Sequence, residues 1–118
     1  MTIIDRIAAS PEGGTLHAAG WELPAHGFWV GGAGPTLILP DVRRLEAYGE
    51  LVRAWLRVPA ASYIGWWTGP GGRLYLDWAT WVPTERAARL CATVRAEIAY
   101  YDIRAGVSRS DHTEERAA

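Results

Sequence analysis

The chain has 118 residues, and its 12 arginines nearly balance its 13 acidic residues, which gives a formal net charge of −1 at pH 7. This length suits one compact domain, and the near-neutral charge argues against non-specific nucleic-acid binding. No apolar run approaches the roughly 20 residues that span a bilayer, and the first residues lack a signal-peptide pattern, so we expect a cytoplasmic protein without membrane contact.

The sequence carries none of the usual signatures of a metal protein or an enzyme. The lone Cys91 cannot form an intrachain disulfide, and its apolar helical neighbours predict a buried thiol. His17, His26 and His112 show no zinc-ligand spacing. The glycine-rich run at 31–35 lacks the lysine of a phosphate-binding loop. We therefore predict no metal site, no cofactor and no assembled catalytic set.

The N-terminal part of the chain, residues 1–26, has the weakest periodicity. Thr2 is a candidate N-cap for a short helix that ends at a turn rich in proline and glycine. Two short apolar runs follow, at 28–30 and 36–39, and a glycine-rich segment separates them. We interpret these two runs as the strands of a β-hairpin.

Two amphipathic helices are predicted further along the chain. The first begins after the N-cap Asp41 and ends before Pro59, with its apolar residues on one face. The second begins at Pro83, and its predicted buried stripe consists of Ala87, Leu90, Cys91, Val94 and Ile98. A last strand is predicted in "IAYYDI", just before a polar tail.

These elements predict an α+β fold, with an antiparallel or mixed sheet in β-β-α-β-β-α-β order and two helices packed on one face. We expect a single domain over residues 1–104. Residues 105–118 contain almost no apolar side chains, so we predict a disordered C-terminal tail there.

Residues 63–82, with the sequence YIGWWTGPGGRLYLDWATWV, form a predicted aromatic hairpin. A loop of four residues, 69–72, would pair Thr68 with Arg73. In this register one face of the hairpin is apolar and belongs to the core, and it carries Tyr63, Gly65, Trp67, Leu74, Leu76 and Trp78. The opposite face is mixed, and it carries Ser62, Ile64, Trp66, Tyr75, Asp77 and Ala79.

This mixed face has two interpretations. Trp66 and Tyr75 could be a cross-strand aromatic pair that stiffens a sheet facing solvent. Alternatively, they form an apolar patch bordered by Asp77 and Arg73, which is the composition of a protein-binding hot spot. Trp81 lies in phase with this face and would enlarge the patch, which favours burial in a symmetric dimer.

The segment from residue 62 to residue 103 resembles a group of small uncharacterised proteins of actinobacterial phages, prophages and plasmids. The group shares a Tyr/Phe-x-Gly-x-Trp strand, a Tyr-Leu-Asp strand, an alanine-rich helix and a closing strand that ends in Tyr-Asp. The matching residues here are Tyr63, Gly65, Trp67, Tyr75, Leu76, Asp77, Tyr101 and Asp102. At the turn this chain has Gly69 before Pro70, where the group has Asp-Pro. The resemblance implies a mobile-element accessory protein and implies no particular activity.

Three functional hypotheses follow. The first is a non-catalytic accessory protein that binds a protein partner, or a second copy of itself, through Trp66, Tyr75, Asp77, Trp81 and Arg73. The alternative is a small-ligand binder or enzyme that uses a cleft between helix and sheet, with polar groups from Asp77, Asp102 and Tyr101. A sequence-selective nucleic-acid binder would require several arginines to gather on one face, namely Arg53, Arg57, Arg73 and Arg104.

Overall fold

A computed structural model describes residues 2–20, 22–57 and 63–110. Its α-helices are α1 (Ile3–Ala9), α2 (Gly49–Leu56) and α3 (Glu85–Val94). Its strands are β1 (Gly13–His17), β2 (Phe28–Val30), β3 (Leu37–Leu39), β4 (Tyr63–Thr68), β5 (Leu74–Val82), β6 (Tyr100–Asp102) and β7 (Val107–Arg109). The predicted α+β class is confirmed, and every strand pair is antiparallel. Within the described residues, no helix has the length and apolar character needed to cross a membrane.

Strand β5 is the centre of the sheet. The strand order is β1-β4-β5-β2-β6-β7, and β3 also pairs with β5. The predicted hairpin of β2 and β3 is wrong, because both strands pair with β5, through Val30 opposite Thr80 and Leu37 opposite Leu76. The loop between them also follows β5, since the N–H of Ala33 donates to a β5 carbonyl at 3.2 Å. One edge of β5 is therefore covered by a strand that is interrupted at its middle.

The chain contains regular elements outside the predicted order. Helix α1 begins at the predicted N-cap, where Thr2 and Asp5 form a capping box. Strand β1 follows within residues 1–26 and pairs with β4. Strand β7 lies in the segment predicted to be a disordered tail, where it pairs with β6. Residues 111–118 of that predicted tail lie outside the described residues.

The register of β4 against β5 differs from the predicted one by a single residue. Thr68 pairs with Leu74 instead of Arg73, because the turn between the strands has five residues, 69–73. The N–H of Gly69 donates to the carbonyl of Arg73 at 2.8 Å, and two glycines within the turn have positive φ. Glycine adopts that backbone conformation without a steric cost. A shift of one residue moves every side chain of β4 to the opposite face.

The two faces of the sheet therefore exchange the β4 residues that the sequence analysis assigned to them. The core face carries Ile64, Trp66, Leu74, Leu76 and Trp78, all of which are buried. The opposite face, hereafter the cleft face, carries Trp29, Tyr63, Gly65, Trp67, Tyr75, Asp77, Ala79, Trp81 and Tyr101. The predicted exposure of Trp66 is wrong, because this side chain is only 5% exposed and its indole N–H donates to the Ser10 carbonyl at 2.9 Å. Trp67, predicted to be in the core, is 51% exposed.

The helical segments pack with two separate hydrophobic clusters. The larger cluster joins the core face to Ile7 of α1 and to Val52 and Trp55 of α2. The predicted N-cap Asp41 is confirmed, but the helix it starts is a 3-10 helix over Val42–Tyr48, followed directly by α2. The smaller cluster joins α3 to β2 and β6, and its buried members are Val30, Ala88, Ala92 and Tyr100.

The predicted buried stripe of α3 is largely wrong. Leu90, Val94 and the nearby Ile98 are 62%, 85% and 74% exposed. The residues of α3 that are fully buried are Ala88 and Ala92, because only small side chains allow this helix to lie close to the sheet. Cys91, half-buried, and Ala87 flank this alanine pair.

Substitution of the adjacent residues Trp66 and Trp67 tests the register of β4 against β5. We expect Trp66→Ala to lower the free energy of unfolding by about 3–5 kcal/mol, because it empties a well-packed core position. We expect Trp67→Ala to cost about 1 kcal/mol, which is the value of one stacked aromatic pair. Urea unfolding of both variants measures the difference, and equal losses would contradict the register.

Helix α3 provides a second test. Ala88→Leu should lower the free energy of unfolding by about 1–3 kcal/mol, because the buried site has no room for the larger side chain. Leu90→Ser should change it by only about 0.5 kcal/mol, as is usual at an exposed position. Thermal or urea unfolding gives both values. A larger loss of stability for Leu90→Ser than for Ala88→Leu would contradict the observed packing of α3 and favour the buried stripe predicted from the sequence.

Candidate functional site

The cleft face is concave and encloses a cleft of about 740 Å³. Strands β1, β4 and β5 form one side of this cleft, and β2, β6 and the segment after α3 form the other. Large apolar side chains remain exposed around it, namely Trp67, Ile98 and Tyr101. Ligand pockets usually measure roughly 300–1,000 Å³ and have mostly apolar walls, so the cleft is the natural candidate for a binding site.

Stacking fixes the aromatic side chains of the cleft face in position. The Trp67 ring lies on the Tyr75 ring with a centroid distance of 4.5 Å and an angle of 9° between the planes. Trp29 contacts Tyr63 at 4.5 Å, and Tyr63 in turn meets the edge of His17 at 4.9 Å. Because these rings hold one another, the exposed half of Trp67 is already ordered before any ligand binds.

The loop between β2 and β3 holds the carboxylate of Asp77. Its Oδ2 accepts a hydrogen bond from the N–H of Gly32 at 3.1 Å, and its Oδ1 accepts one from the hydroxyl of Thr36 at 3.2 Å. On β4, Gly65 is the residue directly opposite Asp77. A β-carbon at Gly65 would meet a single backbone oxygen at 3.9 Å, so the absence of a side chain keeps the cleft open beside Asp77.

The turn that ends α3 places Glu97 beside Asp77. The N–H of Ala96 donates to the Thr93 carbonyl at 3.1 Å, and the N–H of Glu97 donates to the Ala92 carbonyl at 2.8 Å. These two bonds form a Schellman motif, in which the left-handed position usually belongs to glycine. Here Ala96 occupies it, with φ of 57°. A non-glycine residue in this conformation stores strain of about 1–3 kcal/mol, which often occurs beside functional sites.

The carboxylates of Asp77 and Glu97 meet at Gly31. A methyl group on Gly31 would overlap the Oδ2 of Asp77 and would lie 2.7 Å from the Oε1 of Glu97. Burial raises the pKa of the Glu97 carboxyl, the negative charge of Asp77 raises it further, and Arg95 acts in the opposite direction. Gly31 is thus the point where the absence of a side chain allows two acids to lie close together.

Arg95 lies near this pair of acids, but its hydrogen bonds go to other groups. Its guanidinium donates to the carbonyls of Val30 and Gly31 at 3.1 Å and to the hydroxyl of Thr80 at 2.8 Å. In the described part of the chain, no ion pair includes Asp77 or Glu97. The same residues contain no group of three or more potential ligands that could hold a metal ion. The arrangement is therefore suited to binding a positively charged group.

The five residues predicted for partner binding occupy different environments. Tyr75 and Asp77 lie on the cleft face, where Asp77 lines the cleft itself, whereas Trp66 lies in the core. Trp81 lies on the cleft face but is half-buried, since its indole N–H donates to the His26 carbonyl at 2.7 Å and its ring contacts His26. Arg73 is exposed at the end of the turn. Trp81 therefore has a packed position and does not enlarge the exposed patch.

The acid that lies beside Asp77 is Glu97. Asp102, which the sequence suggested as a second polar group of the cleft, has other partners. Asp102 accepts hydrogen bonds from the N–H of Ala105 at 3.1 Å and from Arg109 at 3.0 Å. These contacts, the Ala105 N–H first, hold the pKa of the Asp102 carboxyl below its usual value. Sequence reasoning missed Glu97 because it extended the helix through this residue. Helix α3 ends at Val94, and the residues directly after it include no glycine or proline that would indicate this end.

Substitution of Glu97 should reveal the electrostatic cost of the acid pair. A carboxyl whose pKa is raised by folding destabilises the protein above its ordinary pKa of 4.5, and the penalty disappears below that value. We therefore expect Glu97→Gln to gain stability relative to the original protein at about pH 7.5, and to lose this advantage at about pH 4. Urea unfolding at the two pH values tests this. A stability difference that does not change with pH would contradict the proximity of the two acids.

In comparisons with protein-family models, with curated proteins and with solved structures, nothing matches this chain. The resemblance of residues 62–103 to phage, prophage and plasmid proteins therefore stays a prediction. What the structure contributes is a concave aromatic surface with two carboxylates at its floor.

Proposed function

We propose that this chain is a non-catalytic accessory protein of a mobile element that binds a protein partner through its cleft face. The observation that carries the proposal is Trp67, which stays 51% exposed although it is stacked on Tyr75. Tryptophan and tyrosine are enriched among the few interface residues that supply most of the binding energy. The resemblance of the surrounding hairpin to mobile-element proteins supports the biological context.

The shape of the surface supports a partner that inserts a side chain or a short segment. Protein interfaces combine an apolar centre with a polar border, and their anchoring residues enter pockets on the partner. Here Trp67 and Tyr101 provide the apolar surface, and the half-buried Asp77 and Glu97 line the same cleft. Because the aromatic rings are already held by stacking, binding would cost little side-chain entropy.

A second candidate function is a small-ligand binder or an enzyme that uses the same cleft. The observation that favours it is the acid pair, in which Asp77 is fixed by two donors while burial raises the pKa of Glu97. Two carboxyl groups in unlike environments can serve as general base and general acid. A cleft that binds a small substrate would retain its ligand after Trp67→Ser better than an interface would, since only the interface depends on that large exposed ring.

Affinity capture with a matched pair of variants tests the proposal. We expect the purified chain to retain a protein partner from lysate of its host, and Trp67→Ser to lose at least tenfold of the captured partner, as is usual for a hot-spot residue. Leu51→Ser is the control, because Leu51 on α2 is equally exposed, at 50%, and lies outside the cleft. Equal loss with both variants, or unchanged capture with Trp67→Ser, would contradict the proposal.

Light scattering of the isolated protein completes this experiment. If the partner is a second copy of the chain, the protein should be a dimer at high concentration and Trp67→Ser should be a monomer. If dimerisation persists in Trp67→Ser but disappears in Val94→Glu, the exposed residues of α3 form the contact instead of the cleft face. That outcome would also contradict the proposal.

A further inference from the structure

The cleft combines exposed aromatic side chains with a pair of carboxylates. Its walls expose aromatic faces, with Trp67 at 51% and Tyr101 at 39% exposure. Its floor holds the carboxylates of Asp77 and Glu97, which flank Gly31. The electron-rich face of an aromatic ring and the negative charge of a carboxylate both attract a cation. A cationic group is therefore complementary to the walls and to the floor at once.

Other acids of the chain show how arginine satisfies carboxylates elsewhere in this protein. Asp41 pairs with Arg43 at 3.0 Å, and Asp102 pairs with Arg109 at 3.0 Å. Within residues 2–20, 22–57 and 63–110, Asp77 and Glu97 are in no such pair. Arg95 lies near enough to oppose the rise in the pKa of Glu97, but it forms no ion pair with either acid. Two carboxylates therefore share one nearby cation, and a positively charged ligand could neutralise the remaining negative charge.

We infer that the protein partner inserts an arginine side chain into this cleft, where its guanidinium pairs with Asp77 and Glu97 and its plane lies against Trp67. The inference rests on the proposed function, and it specifies the chemistry of the partner's anchoring residue. The expected partner is therefore a protein segment with an exposed arginine, and the carboxylates of Asp77 and Glu97 would repel an acidic segment.

Arginine fits this cleft better than lysine. A guanidinium is planar, presents five N–H donors and can bind two carboxylate oxygens at the same time while stacking on an aromatic ring. Lysine offers a single compact ammonium group, which can satisfy the acids but cannot stack. Because Asp77 is held by Gly32 and Thr36, its remaining lone pairs have a fixed direction, and this favours a donor of rigid shape.

The groups around Glu97 predict how binding depends on pH. The charged groups that act on it are Asp77 from β5 and Arg95 from the end of α3, and Tyr101 also lines the cleft. Because burial and Asp77 raise the pKa of Glu97, its charge is lost at a higher pH than for an ordinary glutamate. Binding of a cation should therefore weaken as the pH falls, and it should do so at a higher pH than an ordinary glutamate would require.

The inference can be tested without knowing the partner, by nuclear magnetic resonance titration of the full chain with N-acetyl-arginine amide. We expect the probe to shift the resonances of Gly31, Gly32 and the Trp67 indole. N-acetyl-citrulline amide, which has nearly the same shape but no charge, should leave them unchanged. Glu97→Gln should weaken binding of the arginine probe about tenfold, the value of a hydrogen bond to a charged group.

Glu97→Gln is the decisive variant because it leaves the hydrogen bonds of Asp77 to Gly32 and Thr36 intact. Glu50→Gln on α2 is its control, since Glu50 is exposed and lies outside the cleft. Equal shifts with the citrulline probe, or equal weakening by both substitutions, would overturn the inference. So would a neutral sugar, such as methyl glucoside, that shifts these resonances when the arginine probe does not.

The inference and the proposed function fail in different ways. If Trp67→Ser abolishes partner capture but the arginine probe does not bind, the cleft face is an interface and the inferred anchor is wrong. The opposite outcome is that the arginine probe binds, that Glu97→Gln weakens its binding, and that Trp67→Ser leaves partner capture unchanged. In that case the cation site is supported and the proposed interface is wrong. Capture of a partner that survives substitution of its exposed arginines would also overturn the inference.

Discussion

The pairing of Trp66 with Leu76 on neighbouring strands decides which side chains form the core and which line the cleft. Trp66 enters the core in this register and reaches the Ser10 carbonyl, which ties the N-terminal segment to the sheet. Trp67 then necessarily points the other way, because neighbouring side chains of a strand lie on opposite faces. A single turn of five residues thus determines both the stability of the hairpin and the chemistry of the opposite surface.

The cleft depends on features that weaken the protein locally. The strand beside β5 is interrupted near Asp77, Ala96 adopts a left-handed conformation, and the half-buried Glu97 lies beside a second acid. Each of these costs free energy that an uninterrupted sheet and a glycine cap would not cost. They converge on Gly31, from β5 on one side and from the end of α3 on the other. Local departures of this kind are the ones that packing alone does not require.

Sequence reasoning recovered the fold class, both N-caps at Thr2 and Asp41, and the apolar face of α2, because capping and helical periodicity are local properties. It failed where tertiary contacts decide. The wrong face was assigned to β4 because the loop could close with four or five residues, and only the conformation of its glycines distinguishes the two. In α3 the large residue Leu90 suggested burial, but close packing required alanine. That Tyr75 and Asp77 share one face of β5 could be predicted from their spacing. The position of Glu97 could not, since a turn that no sequence signal marks brings it to the cleft.

The strand order also governs how this chain reaches its structure. Among the described strands, only the β4–β5 and β6–β7 pairs join neighbours in sequence, whereas β1 pairs with β4 and β2 pairs with β5 across long stretches of chain. Loop closure over such distances is entropically costly, so folding should begin at the local β4–β5 hairpin and proceed slowly thereafter. The hairpin must then acquire its register before the strands that would stabilise that register arrive. The glycines of its turn therefore also have a kinetic role, because they reduce how often β4 and β5 pair in a wrong register during folding.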